Sequence, residues 1–187
     1  MSRSVLTVLV LALAASGCAA TMGVSSHVAP DRDWSGYRSF EWAPADALPS
    51  ADPRLVANLV FNDRMHGAVA AGLESRGWTR AGAAGPDVLI HYHANVASRL
   101  NVAGIDQAYG SCPDGQCDGE TAEYEVGTLI IDFVDAETSR LIWRGWAQTG
   151  LHELLSDPDR MAETVDQAVS RMLRQLPAPG TPAGKTP

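Results

Sequence analysis

Between residues 24 and 176 the apolar positions switch between two spacings, and that switching limits the fold more than any other feature of the chain. Residues 24–29 and 37–42 read as short strands. In the second, Tyr37, Ser39 and Glu41 alternate with Arg38, Phe40 and Trp42, the period of two that a half-buried strand shows. Pro44 and Pro49 then interrupt it. Asp52 is placed to cap a helix that Pro53 starts, and Leu55, Leu59, Met65, Val69 and Leu73 follow near helical spacing as far as Gly77, a good C-terminal cap. Gly67 and Gly72 either weaken this helix or let it pack closely. Val88, Ile90, Tyr92, Ala94 and Val96 alternate with Leu89, His91, His93 and Asn95, which predicts a strand. Residues 124–134 and 141–149 predict a hairpin around Asp135-Ala136-Glu137-Thr138. Asp157-Pro158 opens the last helix; Met161, Val165, Val169, Met172 and Leu176 form its single apolar stripe, and Pro177 ends it. One-sided helices and one-sided strands fit a two-layer arrangement. The expectation is an α/β fold of the α+β kind: a mixed four- to five-stranded sheet with two helices packed on one face. The strand–helix–strand step favours a right-handed parallel crossover, and the hairpin is antiparallel.

The N-terminus has the three parts that export requires. Arg3 gives positive charge, residues 5–15 form an apolar run, and Ala15, Ser16 and Gly17 lead into Cys18. Eleven such residues cover roughly 16 Å of helix, short of the ~30 Å hydrocarbon core, so the run reads as a signal peptide rather than a span. Leu13-Ala14-Ala15-Ser16-Gly17-Cys18 resembles the lipobox of bacterial lipoproteins, with Ala15 where Leu is commonest. The resemblance implies that residues 1–17 are removed and that Cys18 is acylated more than once, as stable anchoring needs. Ala19, rather than Asp, implies the outer membrane by similarity to sorting signals. The expected layout is a signal at 1–17, a lipidated tether at 18–22, one domain at 23–176 and a disordered Pro/Gly-rich tail at 177–187. Residues 19–23, fully extended, reach at most about 18 Å, so the domain is expected close against its membrane.

The net charge is −8, and about −9 once Arg3 is lost; there is no Lys/Arg cluster to follow a phosphate backbone, so nucleic acid is not an expected partner. The expected partners are the membrane, through the N-terminal lipid, and an envelope protein at that same membrane. Cys112 and Cys117 remain after Cys18 takes lipid. The oxidising periplasm and the intervening Pro113 and Asp114-Gly115 favour a disulfide over a metal site, for which no further soft ligand is adjacent. Such a small ring contributes about 2 kcal/mol, enough to stiffen a loop and not to hold a fold.

A further set of residues carries a family resemblance. Trp34-x-x-Tyr37-x-x-Phe40-x-Trp42, Gly77-Trp78, Asp87-Val88-Leu89-Ile90, Gly127-Thr128-Leu129-Ile130-Ile131-Asp132 and Leu141-Ile142-Trp143-Arg144-Gly145 occur in order over residues 23–176. Together they resemble bacterial lipoproteins carrying the domain of unknown function 4136. That resemblance implies an envelope lipoprotein with an α/β domain, and it transfers no catalytic residue.

The reactive constellations are mostly missing. There is no Gly-x-Ser-x-Gly elbow and no phosphate-binding Gly-Lys-Ser/Thr loop, and no motif implies a cofactor. His152-Glu153-Leu154-Leu155-Ser156 begins like a zinc-peptidase motif but has Ser where the second His belongs, at an expected strand end. Glu123 and Glu125 share a strand face, as a glycosidase's carboxylates can, but exposed strand carboxylates are far more often solvated surface, the favoured reading. His91 and His93 lie on one strand face and would need a third ligand such as Asp132 to hold a metal; an ordinary solvent face is the favoured reading. Trp143 and Trp146 point to opposite faces of a regular strand unless Gly145 marks a bulge, and an outward Trp146 beside Arg144 suits a partner or a sugar-like ligand. Residues 97–122 form a long expected loop, either a recognition loop or a tolerated insertion. The candidate binding residues are therefore His91, His93, Asp132, Arg144 and Trp146; no catalytic and no metal-binding residue is assigned. The leading functional expectation is a non-catalytic binding or structural module of the envelope. An enzyme acting on envelope glycans or peptides, and a carrier of a small ligand, are the rivals.

Overall fold

A computed structural model of the chain describes residues 22–30, 32–44, 52–100 and 123–182. The expected signal at 1–17, the acylated Cys18 and the Cys112–Cys117 disulfide lie outside the described residues. In chain order the elements are β1 (Gly23–Val28), β2 (Ser39–Trp42), α1 (Pro53–Val56), α2 (Leu59–Glu74), β3 (Thr79–Arg80), β4 (Val88–Leu100), β5 (Glu123–Asp135), β6 (Leu141–Gly150), α3 (Leu151–Leu155) and α4 (Pro158–Leu173). The strands form one mixed sheet in the order β1-β6-β5-β4-β2-β3. The β4–β5–β6–β1 half is antiparallel, and β2 runs parallel to both β4 and β3. The parallel step from β2 through α2 to β4 and the antiparallel β5–β6 hairpin are thus as the patterning predicts.

One face of the sheet carries the core. Val88, Ile90 and Ala94 of β4, Leu129, Ile131 and Phe133 of β5, and Trp143 and Ala147 of β6 are buried against Phe61, Met65, Val69 and Leu73 of α2 and Met161, Val165, Val169 and Met172 of α4. The two long helices run parallel. Asn58 lies near Met161, Arg64 pairs with Asp166, and Arg76 donates to the Leu176 carbonyl at 2.6 Å. Gly72 lets them approach: a Cβ there would sit 2.7 Å from Leu173 Cδ1, whereas one on Gly67 would meet nothing within 4 Å. Close packing therefore explains Gly72 and not Gly67. Gly77, at φ +87°, ends α2 in the left-handed conformation, with the Trp78 amide donating to Leu73 O and the Gly77 amide to Glu74 O at 3.1 Å each.

The architecture differs from the sequence expectation at five places. The sheet has six strands, not four or five, because β3 is two residues long and shows no period. The first helix is split: Asn58 accepts from the Phe61 amide at 3.1 Å and starts α2 afresh, leaving α1 as a single capped turn. Strand β4 continues through residues 97–100, read from sequence as loop, because pairing with β5 holds it although Ala97, Ser98 and Arg99 are exposed and show no one-sided pattern. Residues 151–155 form a short helix where a strand end is expected. Residues 177–182 are not a disordered tail: Leu176 and Pro177 are buried, and Gly180 and Thr181 bond the backbone of the segment before β2, with Trp34 N donating to Thr181 O at 2.9 Å and Gly180 N to Trp34 O at 3.0 Å.

Candidate functional site

Register decides which side chains share the second sheet face. In β5 and β6, Ile131 pairs with Gly145, Phe133 with Trp143 and Leu129 with Ala147, all on the helix side. The intervening positions face the other way, so Asp132 pairs with Arg144 and Ile130 with Trp146. On β4, His91 lies opposite Asp132 and His93 opposite Ile130. On β1, His27 lies opposite Arg144 and Ser25 opposite Trp146. Two cross-strand rows result, His27–Arg144–Asp132–His91 and Ser25–Trp146–Ile130–His93. All five candidate binding residues (His91, His93, Asp132, Arg144 and Trp146) fall within them. Among the described residues no helix packs on this face.

At its centre Asp132 is only 5% exposed. Its two oxygens accept from Arg144 Nε and Nη2 at 2.6 Å each, a bidentate pair. That hydrogen-bonded carboxylate raises the Arg144 guanidinium above its ordinary pKa. His93 Nε2 stands 3.7 Å from Asp132 Oδ2. His91, His93 and Asp132 are therefore brought together, as a metal site would need, but Asp132 is already occupied by an arginine. Among the described residues no group of three His, Cys, Asp or Glu side chains is placed to hold an ion. Gln148 donates to Thr128 Oγ1 at 3.0 Å in the next row, a polar pair that only the register makes visible.

Trp143 and Trp146 do point to opposite faces, Trp143 fully buried and Trp146 half-buried. Gly145 is not a bulge. The register is continuous through it, and the irregularity falls between Phe133 and Val134, where Ile142 is the extra residue and is buried beside Trp143. Gly145 is glycine because the Trp143 indole lies across it: a Cβ would stand 2.3 Å from the ring's Cη2.

Other candidates are structural in place. Glu123 and Glu125 are exposed, and Glu125 pairs bidentately with Arg54 at 2.8 and 2.9 Å. The Asp87 carboxylate accepts from the Arg38 and Ser39 amides and the Ser39 hydroxyl at 2.8–2.9 Å, pinning β2 to β4. Asp135 is a residue that sequence patterning treats only as a turn former. Its carboxylate accepts from the Tyr37 hydroxyl at 2.5 Å and the Thr138 amide at 2.7 Å, with Arg32 Nη1 at 3.7 Å. Burial, then the carboxylate, pushes the Tyr37 hydroxyl up to about 12. Burial pushes the Asp135 carboxyl up, but the bonds from Tyr37 and Thr138 outweigh it and hold the group below its usual value. Between the helices and the sheet, Met22, Leu55, Phe61, Leu129 and Val165 line an apolar cavity of about 30 Å³. That is the share of one water, far below the ~300 Å³ at which ligand pockets begin.

Comparison with known proteins bears on the fold and the family. The model of a family described as a domain of unknown function (DUF4136) matches residues 24–178. The chain belongs to the DUF4136 family. Within this DUF4136 domain the motif residues are mostly packing and pinning groups: Trp34, Phe40, Trp78 and Trp143 are buried, Asp87 clamps β2, and Asp132 holds Arg144. Among solved structures, a PDZ domain protein from Parabacteroides distasonis is similar at TM-score 0.51 and 16% identity, over 95% of this chain and 41% of that one. The chain thus spans about two-fifths of that neighbour's length, and the likeness concerns the fold alone. The PelC dodecamer from Paraburkholderia phytofirmans (TM-score 0.46, 9% identity, 87% and 99% covered) is also similar. So is a DUF4136 family protein from Bacteroides thetaiotaomicron (TM-score 0.44, 13% identity, 80% and 95% covered). No curated protein matches the chain.

Proposed function

We propose that this DUF4136 protein is a lipid-anchored module of the cell envelope, facing the periplasm from the outer membrane, that binds or scaffolds a partner at its own membrane and carries no catalysis. One observation supports this reading most. The second sheet face combines a half-buried Trp146 and Ile130 with polar groups already locked together, Asp132 on Arg144 and Gln148 on Thr128. Rigid aromatic area beside fixed polar groups suits recognition. Glycoside hydrolysis commonly needs a carboxylate poised to move a proton, whereas both oxygens of Asp132, the buried carboxylate of this face, are committed to a guanidinium. An enclosed site for a small apolar ligand is disfavoured by the one-water size of the cavity between helices and sheet; the cleft of about 1130 Å³ at Tyr124 and Leu155 is open to solvent.

The anchor rests on Cys18 and its small-residue approach, and the outer membrane on Ala19. Metabolic labelling with a fatty acid tests it: Cys18→Ala loses the label, and equal labelling of the variant refutes the anchor. The binding face is tested by crosslinking in intact cells. Trp146→Ala is expected to lose the envelope adducts of the native chain while keeping its melting temperature; an unchanged adduct pattern refutes the assignment.

A further inference from the structure

Among the described residues, the large apolar side chains that remain exposed are not scattered. Leu59 is 76% exposed, Val60 55%, Tyr124 48% and Leu155 37%. Gly23, Arg54, Tyr124 and Leu155 line a single cleft, and Leu59 and Val60 open α2 just after the turn that carries Arg54. Because α2 and α4 run parallel, both helix N-termini lie at this end, with Asn58 beside Met161. The one other exposed large hydrophobic among the described residues, Leu141, starts β6 and so stands at the opposite end, nine residues and about 30 Å of strand from Gly150. The exposed apolar groups thus gather where the chain enters the domain.

We propose that this end of the domain, presenting Leu59, Val60, Tyr124 and Leu155, lies in the headgroup region of the bilayer that holds Cys18. The proposal rests on the lipid-anchor reading. Residues 19–22 and Gly23 reach at most about 18 Å from the acylated cysteine, so Gly23, on one wall of the cleft, is held within that distance and this end of the domain is kept near the bilayer. Leucine and valine facing a bilayer at that range gain by leaving water, and tyrosine is at home at the headgroup level. Basic attraction is not the driver. Arg54 is engaged by Asp52 and Glu125, and the exposed Arg99 and Arg160 at this end are balanced by Glu123, by Asp157, which caps α4, and by Asp159. The partner chemistry is therefore a lipid surface met by apolar insertion, without a requirement for anionic lipid.

The test uses the acylated mature chain in vesicles of phosphatidylethanolamine and phosphatidylcholine. Leu59→Cys, Leu155→Cys and Leu141→Cys, each with Cys112→Ser and Cys117→Ser, carry a nitroxide whose collision rates with oxygen and with a water-soluble nickel chelate are measured. At 59 and 155 the oxygen-to-nickel ratio is expected to rise several-fold over that at 141. Equal ratios at all three sites overturn the proposal. So does protection of 59 and 155 from both agents, which marks a protein contact instead. The mass of the N-terminal peptide separates the two layers of argument. An unacylated Cys18 refutes the anchor and this inference with it, while an acylated Cys18 with water-exposed labels at 59 and 155 refutes this inference alone.

Discussion

Replacing Gly145 by alanine tests the packing of the sheet's helix-facing side at one atom. The added Cβ would meet Trp143 Cη2 at 2.3 Å, Cζ2 at 2.8 Å and Cζ3 at 3.1 Å. Trp143 is fully buried, and its ring packs edge-on against Phe133 at 5.2 Å, which itself meets Trp78 at 5.8 Å. A flexible side chain would swing aside, but an indole held in this stack can move only with its neighbours. Overpacking of such a core costs about 1–3 kcal/mol, and a rigid obstacle places this case near the upper end. Alanine also gains about 0.5–1 kcal/mol over glycine in the unfolded-chain entropy it no longer loses. The net cost is about 2 kcal/mol, which lowers the melting temperature of a domain this size by roughly 4–8 °C. Two other glycines calibrate the argument. Gly72→Ala forces the buried tip of Leu173, at 2.7 Å, to shift, a cost that offsets the helix-propensity gain of alanine, so the variant is expected near neutral. Gly67→Ala meets nothing within 4 Å and should stabilise by about 0.5–1 kcal/mol through helix propensity. Calorimetry of the three variants orders them Gly67→Ala, Gly72→Ala, Gly145→Ala from most to least stable. A Gly145→Ala protein that melts with the native chain refutes the reasoning.

Further outcomes follow from the polar contacts. Arg144→Ala strands the buried Asp132 carboxylate and is expected to cost about 1–3 kcal/mol, with Asp132→Ala recovering part of that loss in the double variant; strict additivity in urea titrations would show that the pair is not coupled. Because the fold holds the Asp135 carboxyl low, its contribution to stability is present above the unfolded carboxyl pKa and disappears as pH falls through the folded one; Tyr37→Phe removes a bond to that carboxylate and should shift the acid unfolding midpoint upward. The Tyr37 hydroxyl is held up, from 10.0 to about 12, so its contribution is complete below pH 10 and is lost as pH rises through that interval; Tyr37→Phe should lose less stability there than the native chain, and parallel pH profiles would contradict the assignment. Ending the chain after Pro177 removes the bonds of Gly180 and Thr181 to Trp34 and should cost about 1–2 kcal/mol, read as a lower urea midpoint; an unchanged midpoint would show that the docking does not stabilise the fold.

Much of the fold was legible in the sequence because its signals are local. A period of two in residues 88–96 and a stripe at Met161, Val165, Val169 and Met172 each follow from how one element presents its side chains to one apolar layer. Asp52-Pro53 and Asp157-Pro158 mark helix starts because an aspartate oxygen can take orphan amides beside a proline that needs none. The family motifs were legible too, since the large aromatics they contain are the core. What sequence patterning missed has no local signature. Two-residue β3 exists through pairing with β2, and residues 97–100 are strand because β5 holds them, although Ala97, Ser98 and Arg99 are all exposed. Polar Pro/Gly-rich composition predicts disorder after 177, yet Gly180 docks on the Trp34 and Tyr37 carbonyls, partners about 140 residues away in sequence. The candidate face shows the division most plainly. Alternation alone puts His91 with His93 and Arg144 with Trp146, each pair on one side of its own strand. Only the strand order and register place Asp132 between Arg144 and His91, give its oxygens to the arginine, and bring His27 into the same row. Side-chain period is a property of a few bonded neighbours, whereas register is set by the burial of a whole layer at once, and a site assembled across four strands exists only after that layer has closed.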